Sequence, residues 1–128
     1  EQVLEALVRP TVTMTRAADG SRPLIALLMQ VRAQPREPTR RFFFDRMDPA
    51  VDRFVAVLER VLPERSRAEI FWRYNFALGA LMQVLADAAP GSQRLRLLSD
   101  GLCDTGDDEA IIAELVRFLA GGFRASGG

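Results

Sequence analysis

Apolar residues recur through this chain at helical spacing, and clusters of turn residues cut the pattern into five segments. None of the five carries a convincing two-residue alternation of ordinary strand length, so the class expected is all-α with about five main helices. The first segment runs from Val3 to about Ala18, with Leu4, Leu7, Val8 and Val12 on one face and Pro10 in the middle, which predicts a kink. Thr11 to Thr15 also reads as a short strand, because alternation and β-branching favour one there. No second strand is available to pair with it, and the kinked helix is preferred.

Asp19-Gly20-Ser21 ends that element, and Ser21 followed by Pro23 opens a short second helix whose Leu24, Ile25, Leu27, Leu28 and Val31 are apolar nearly all round. After Pro35 to Pro38, Thr39 can cap a third stretch through Phe42, Phe43, Phe44 and Met47. Asp48-Pro49 then reads as a cap and first-turn proline that restart the helix. Val51, Phe54, Val55, Leu58, Val61 and Leu62 make its stripe, and Pro63 ends it. Ser66-Arg67-Ala68-Glu69 is a capping box that opens a long helix to about Ala88. Ala89-Pro90-Gly91 stops that helix, Ser92 to Gly106 is a connection with a possible turn at Gln93 to Leu98, and Thr105 or Asp107 caps a final helix from Asp108 to about Arg124.

Composition narrows the chemistry. The 128 residues contain no His and one Cys, Cys103, which removes Ser-His and Cys-His catalysis and zinc sites built on imidazole or paired thiolates. No catalytic residue, metal ligand or cofactor site is expected, and the chain does not read as an enzyme. Seventeen basic residues balance seventeen acids, so no net positive field draws it to phosphate backbones. All seventeen are Arg, which fits genomic codon bias better than selection for planar recognition. The four acids between Asp104 and Glu109 lack the spacing of a calcium loop and suit a helix N-terminus. Arg36, Arg40, Arg41 and Arg46 read as a solvated face. A lone Cys fits a reducing compartment, no run is long enough to span a bilayer, and a cytoplasmic location without membrane contact is expected.

The last two long helices are unusually apolar. Each has only a thin polar line, Glu69, Arg73, Gln83 and Asp87 on one and Glu109, Glu114, Arg117 and Arg124 on the other. A surface helix needs an apolar face of about 100°, so each of these is expected to pack on two sides, the second against another subunit in a dimeric four-helix bundle. Gly79 in mid-helix costs about 1 kcal/mol relative to Ala, which suggests close backbone approach, and Gly121-Gly122 can be read likewise. Accommodation of intrachain packing is the competing reading. The dimer face is accordingly placed at Gly79, Leu115, Phe118, Leu119 and Gly122.

The Leu4-to-Pro10 segment, the RRFFFDRMDPAVDRFVAVLERVLP stretch, FWRYNFALGALMQVLAD and LVRFLAGGFRA, taken in order, resemble the C-terminal domain of TetR-family transcriptional repressors over nearly the whole chain. The most specific pieces are Trp72-Arg73-x-x-Phe76-x-x-Gly79 and Phe118-Leu-x-x-Gly122-Phe-Arg124. The resemblance implies a regulatory half that dimerises through its last two helices and encloses a small-molecule pocket among the preceding ones. It also implies operator binding through an N-terminal helix-turn-helix domain that this chain, which starts at Glu1 without Met, is not expected to hold. Residues 1–124 are then the regulatory domain and 125–128 a flexible tail. The effector pocket, for a small apolar molecule, is expected at Met14, Met29, Phe42, Phe43, Trp72, Asn75 and Met82. Asn75 lies on an apolar face and needs a partner, ligand or backbone carbonyl; Met adapts to varied shapes; and Phe42 to Phe44 span about 200° of helix, too much for one core. A ligand-free homodimeric protein-interaction domain is the alternative.

Overall fold

In a computed structural model, residues 1–16, 29–31, 33, 37–89 and 91–126 are described. They form α1 (Gln2–Arg16), α2 (Glu37–Val61), α3 (Arg67–Asp87), the short α4 (Arg94–Leu98) and α5 (Asp108–Arg124), with helical residues also at 29–31. No strand occurs among the described residues, and Thr11 to Thr15 is helical. The all-α reading holds. Residues 17–28, where the second helix was expected to begin, lie outside the described residues.

Pro10 lies inside a continuous helix, as expected, whereas Pro49 departs from the cap-and-restart reading. Helix α1 continues through Pro10, and α2 continues through Pro49, so Asp48-Pro49 does not divide it. A mid-helix proline forfeits one backbone hydrogen bond and costs on the order of 3 kcal/mol. Beyond Pro49 the helix presents Val55 and Leu58, both fully buried, with Val51 and Phe54 packed against the same core. That burial, at about 1.5–3 kcal/mol per large side chain, outweighs the lost bond.

The core is assembled from one face of each long helix: Leu4, Val8 and Val12 from α1; Val55 and Leu58 from α2; Ile70, Ala77, Leu81 and Leu85 from α3; and Ile111, Ile112, Leu115, Leu119, Ala120 and Phe123 from α5. Helix α5 packs on α1 and on α3, while α3 also meets α2 and α1. Two of the expected caps form, whereas Thr39, expected to cap the third stretch, lies inside α2, which begins at Glu37. Ser66 and Glu69 form both halves of the capping box, and Asp107, rather than Thr105, caps α5 by accepting from the Ala110 backbone N–H.

Polar ties lock this arrangement. Arg9 on α1 donates to both carboxylate oxygens of Glu109 on α5, at 2.6 and 3.1 Å, and to Glu5 at 3.0 Å. Glu109, then Glu5, raises the Arg9 pKa, and Arg9 in turn holds the Glu109 carboxyl below its ordinary value. At the other end Arg65 donates to the Arg124 carbonyl at 2.8 Å, and Arg73 to the Phe123 and Ala125 carbonyls. These guanidinium groups satisfy the orphan carbonyls of the last turn of α5 and oppose its negative dipole end.

Candidate functional site

Helix α3 is covered on one side only. Ile70, Ala77, Leu81 and Leu85 face the core, whereas Ala68, Phe71, Trp72, Asn75, Phe76, Gly79 and Gln83 are all exposed. Along a helix these exposed positions fall on one stripe, spaced three and four residues apart. Trp72 is 64% exposed and Phe76 63%, so the stripe is a bare aromatic surface. Their rings lean on each other with centroids 5.8 Å apart. The stripe carries no charge between Ala68 and Gln83; Arg67, at its end, lies over the Phe71 ring and is held by both oxygens of Glu59 at 2.8 Å.

Helix α5 has a matching profile. Phe118 is 71% exposed, with exposed Gly121 and Gly122 one turn further on and the Glu114–Arg117 ion pair beside it. Leu115 and Leu119, expected at a subunit interface, are instead buried in the chain's own core at 6% and 4% exposure. The same helix offers core contacts to α1 and α3 on one side and Phe118 on the other, and packing against α1 decides which leucines go inward.

Gly79, Gly121 and Gly122 share one informative property. Among the described residues, a Cβ built on any of them meets nothing within 4 Å, and none has a positive φ. Neither the chain's own packing nor its backbone conformation therefore requires glycine at these helical positions, each of which costs about 1 kcal/mol relative to Ala. All three lie on the exposed faces.

The residues expected to line a single pocket are not brought together. Trp72 and Asn75 line a concavity of about 360 Å³ with Ala68 and Phe71, open to solvent on the stripe itself. Asn75 is exposed, so it is not the buried amide that the apolar face suggested. Met82 packs against the core, while Met14, Met29 and Phe42 are 57%, 37% and 66% exposed and do not line that concavity. Arg46 covers one face of the Phe42 ring at 5.0 Å from its centroid. The Phe43 side chain lies outside the described residues. Among the described residues, no helix is long and apolar enough to cross a membrane, and no three His, Cys, Asp or Glu side chains converge to hold a metal ion.

Sequence reasoning missed a buried polar site at the α3–α5 connection. The Asp87 carboxylate accepts from the Leu95 backbone N–H at 3.1 Å and from the buried Thr105 hydroxyl at 3.0 Å, while the Asp87 carbonyl accepts from Gln93 N–H. One signal was present: an acid in the last turn of a helix opposes the macrodipole and needs another reason to be there. Beyond this latch, Leu97, Leu98 and Leu102 stand exposed.

The described residues thus form an all-helical fold with an exposed aromatic stripe on α3. A family model described as tetracyclin repressor-like, C-terminal domain matches residues 5–122. The chain belongs to that family and is a TetR-family regulatory domain. It matches no curated protein and no solved structure at a significant level.

Proposed function

We propose that this chain is the effector-binding and dimerisation domain of a TetR-like repressor, acting in the cytoplasm on operator DNA through a helix-turn-helix domain carried elsewhere in the protein. It performs no catalysis. A small apolar effector alters the angle between two subunits, and its differential affinity for the two arrangements supplies the coupling to DNA binding. The observation that carries the reading is the uncharged aromatic stripe of α3 in a chain whose family is a repressor regulatory domain. Trp72 and Phe76 lie side by side and exposed on one stripe, so a two-fold association through that stripe would cover both on both copies at once.

Trp72 and Asn75 belong to this subunit face in the proposal. The effector site is expected among the helices that precede α3, as in the family the chain belongs to. Sedimentation velocity at tens of micromolar tests the assembly. A species of about twice the 14.2 kDa chain mass is expected, and a monomer overturns the reading. The exposed Leu97, Leu98 and Leu102 favour one second reading, a ligand-free protein-interaction domain. That reading predicts no change in stability with any apolar small molecule, whereas an effector raises the melting temperature by mass action.

A further inference from the structure

We infer that two copies of this chain meet through α3 in antiparallel register, with the two-fold axis between Asn75 and Phe76, so that Trp72 packs onto the partner's Gly79. The inference rests on the dimer reading above and specifies its geometry. The stripe of α3 runs from Ala68 to Gln83, about 22 Å of helix, and its midpoint falls between Asn75 and Phe76. Bulk is unevenly distributed along it. Phe71 and Trp72 lie in the N-terminal half and Phe76 just past the midpoint, while at Gly79, further into the C-terminal half, a Cβ would meet nothing within 4 Å among the described residues.

Such a face complements a reversed copy of itself. In the antiparallel arrangement residue numbers across the interface sum to about 151, which sets Trp72 opposite the partner's Gly79 and Ala68 opposite the partner's Gln83. The large ring fills the space that glycine leaves, and Gly79 has a reason to lack a side chain that the chain's own packing does not give it. Parallel packing does the reverse: Trp72 meets its own copy, Gly79 faces the partner's Gly79 across a gap, and Arg67 is set against the partner's Arg67. Shape and charge both select the antiparallel form. The uncharged stripe takes the centre of the interface, with Arg67 at its edge.

The consequence is a specific cross-linking pattern. Disulfides form only where Cα atoms lie within about 7 Å. In this register Asn75 is offset from its own copy by one residue along the axis, whereas Trp72 and Gly79 are each offset from their own copies by seven residues, about 10 Å. With Cys103→Ser removing the native thiol, Asn75→Cys is expected to give a covalent dimer under mild oxidation. Trp72→Cys and Gly79→Cys are expected to give none singly and a covalent heterodimer when mixed. Sedimentation of the reduced proteins and helical circular dichroism accompany each sample. A reduced dimer that cross-links through Trp72→Cys or Gly79→Cys alone, or in which the mixed pair fails, overturns the register while leaving the dimer intact. A Cys103→Ser parent that sediments as a monomer overturns the underlying reading instead. If Asn75→Cys itself weakens association, the mixed pair still decides.

Discussion

Removing the Asp87 carboxylate should destabilise the fold well out of proportion to a surface residue. Asp87 is 9% exposed at the end of α3, and its two oxygens tie the first turn of α4 and Thr105, itself 4% exposed, to that helix. A hydrogen bond to a charged group contributes about 1.5–3 kcal/mol when buried. The Leu95 N–H bond is part-buried and sits at the low end, and the helix recovers a few tenths of a kcal/mol when an acid leaves its C-terminal turn. Asp87→Ala is therefore expected to cost about 2–4 kcal/mol. Urea unfolding at fixed protein concentration measures it, since any self-association would make apparent stability depend on concentration. Thr105→Val removes one of the same bonds, so the double variant should be less destabilised than the sum of the singles by about 1–2 kcal/mol. An Asp87→Ala cost under about 0.5 kcal/mol, or additivity with Thr105→Val, refutes the latch.

Three further outcomes follow from the same packing. Gly79 is exposed and a Cβ there meets nothing within 4 Å among the described residues, so Gly79→Leu should leave helical content unchanged while dimer dissociation rises at least tenfold in concentration, read by sedimentation equilibrium; loss of helicity, or no change in association, contradicts the account. Leu81→Ala, at a side chain 1% exposed, should cost about 2–5 kcal/mol in urea unfolding, and a value below 1 would mean the core is elsewhere. Acid should weaken the fold through Glu69, lowered by hydrogen bonds from the Ser66 backbone and side chain, and through Glu109, lowered by Arg9. Both are held below the ordinary value of 4.5, so their contribution is complete above that pH and is lost as pH falls through the lower folded values. The melting-temperature gap between the wild type and Glu109→Gln should accordingly narrow as pH drops below 4.5, and a gap that is constant with pH counts against it.

Local rules made much of the helical order readable. The capping box at Ser66 and Glu69 is chemistry between neighbours, so residue identity determined it, whereas the cap of α5 was narrowed only to Thr105 or Asp107, and burial of Thr105 against Asp87 leaves the cap to Asp107. Pro49 was misread because its local signal, an aspartate followed by proline, matches a helix start, while the packing of Val55 and Leu58 that carries α2 through it is tertiary. Leu115, Phe118 and Leu119 looked equivalent along α5, and contact with α1 separates them into core and surface. The proposed pocket residues share a composition but not a location, since adaptable side chains such as Met14 and Met82 suit a core, a surface or a cavity alike. The reach of Arg65 and Arg73 to the end of α5 spans 59 and 50 residues, beyond any local pattern.

Trp72 is the sole tryptophan and stands 64% exposed within a single subunit, which makes its emission a direct report on whether the α3 stripe is the subunit face. Fluorescence and sedimentation should be followed together over a dilution series from tens of micromolar downward. The account predicts blue-shifted emission in the dimer that moves to the red, toward that of a solvated indole, over the same concentrations at which the mass halves. Solvated emission at every concentration, with the chain a dimer or a monomer throughout, contradicts it.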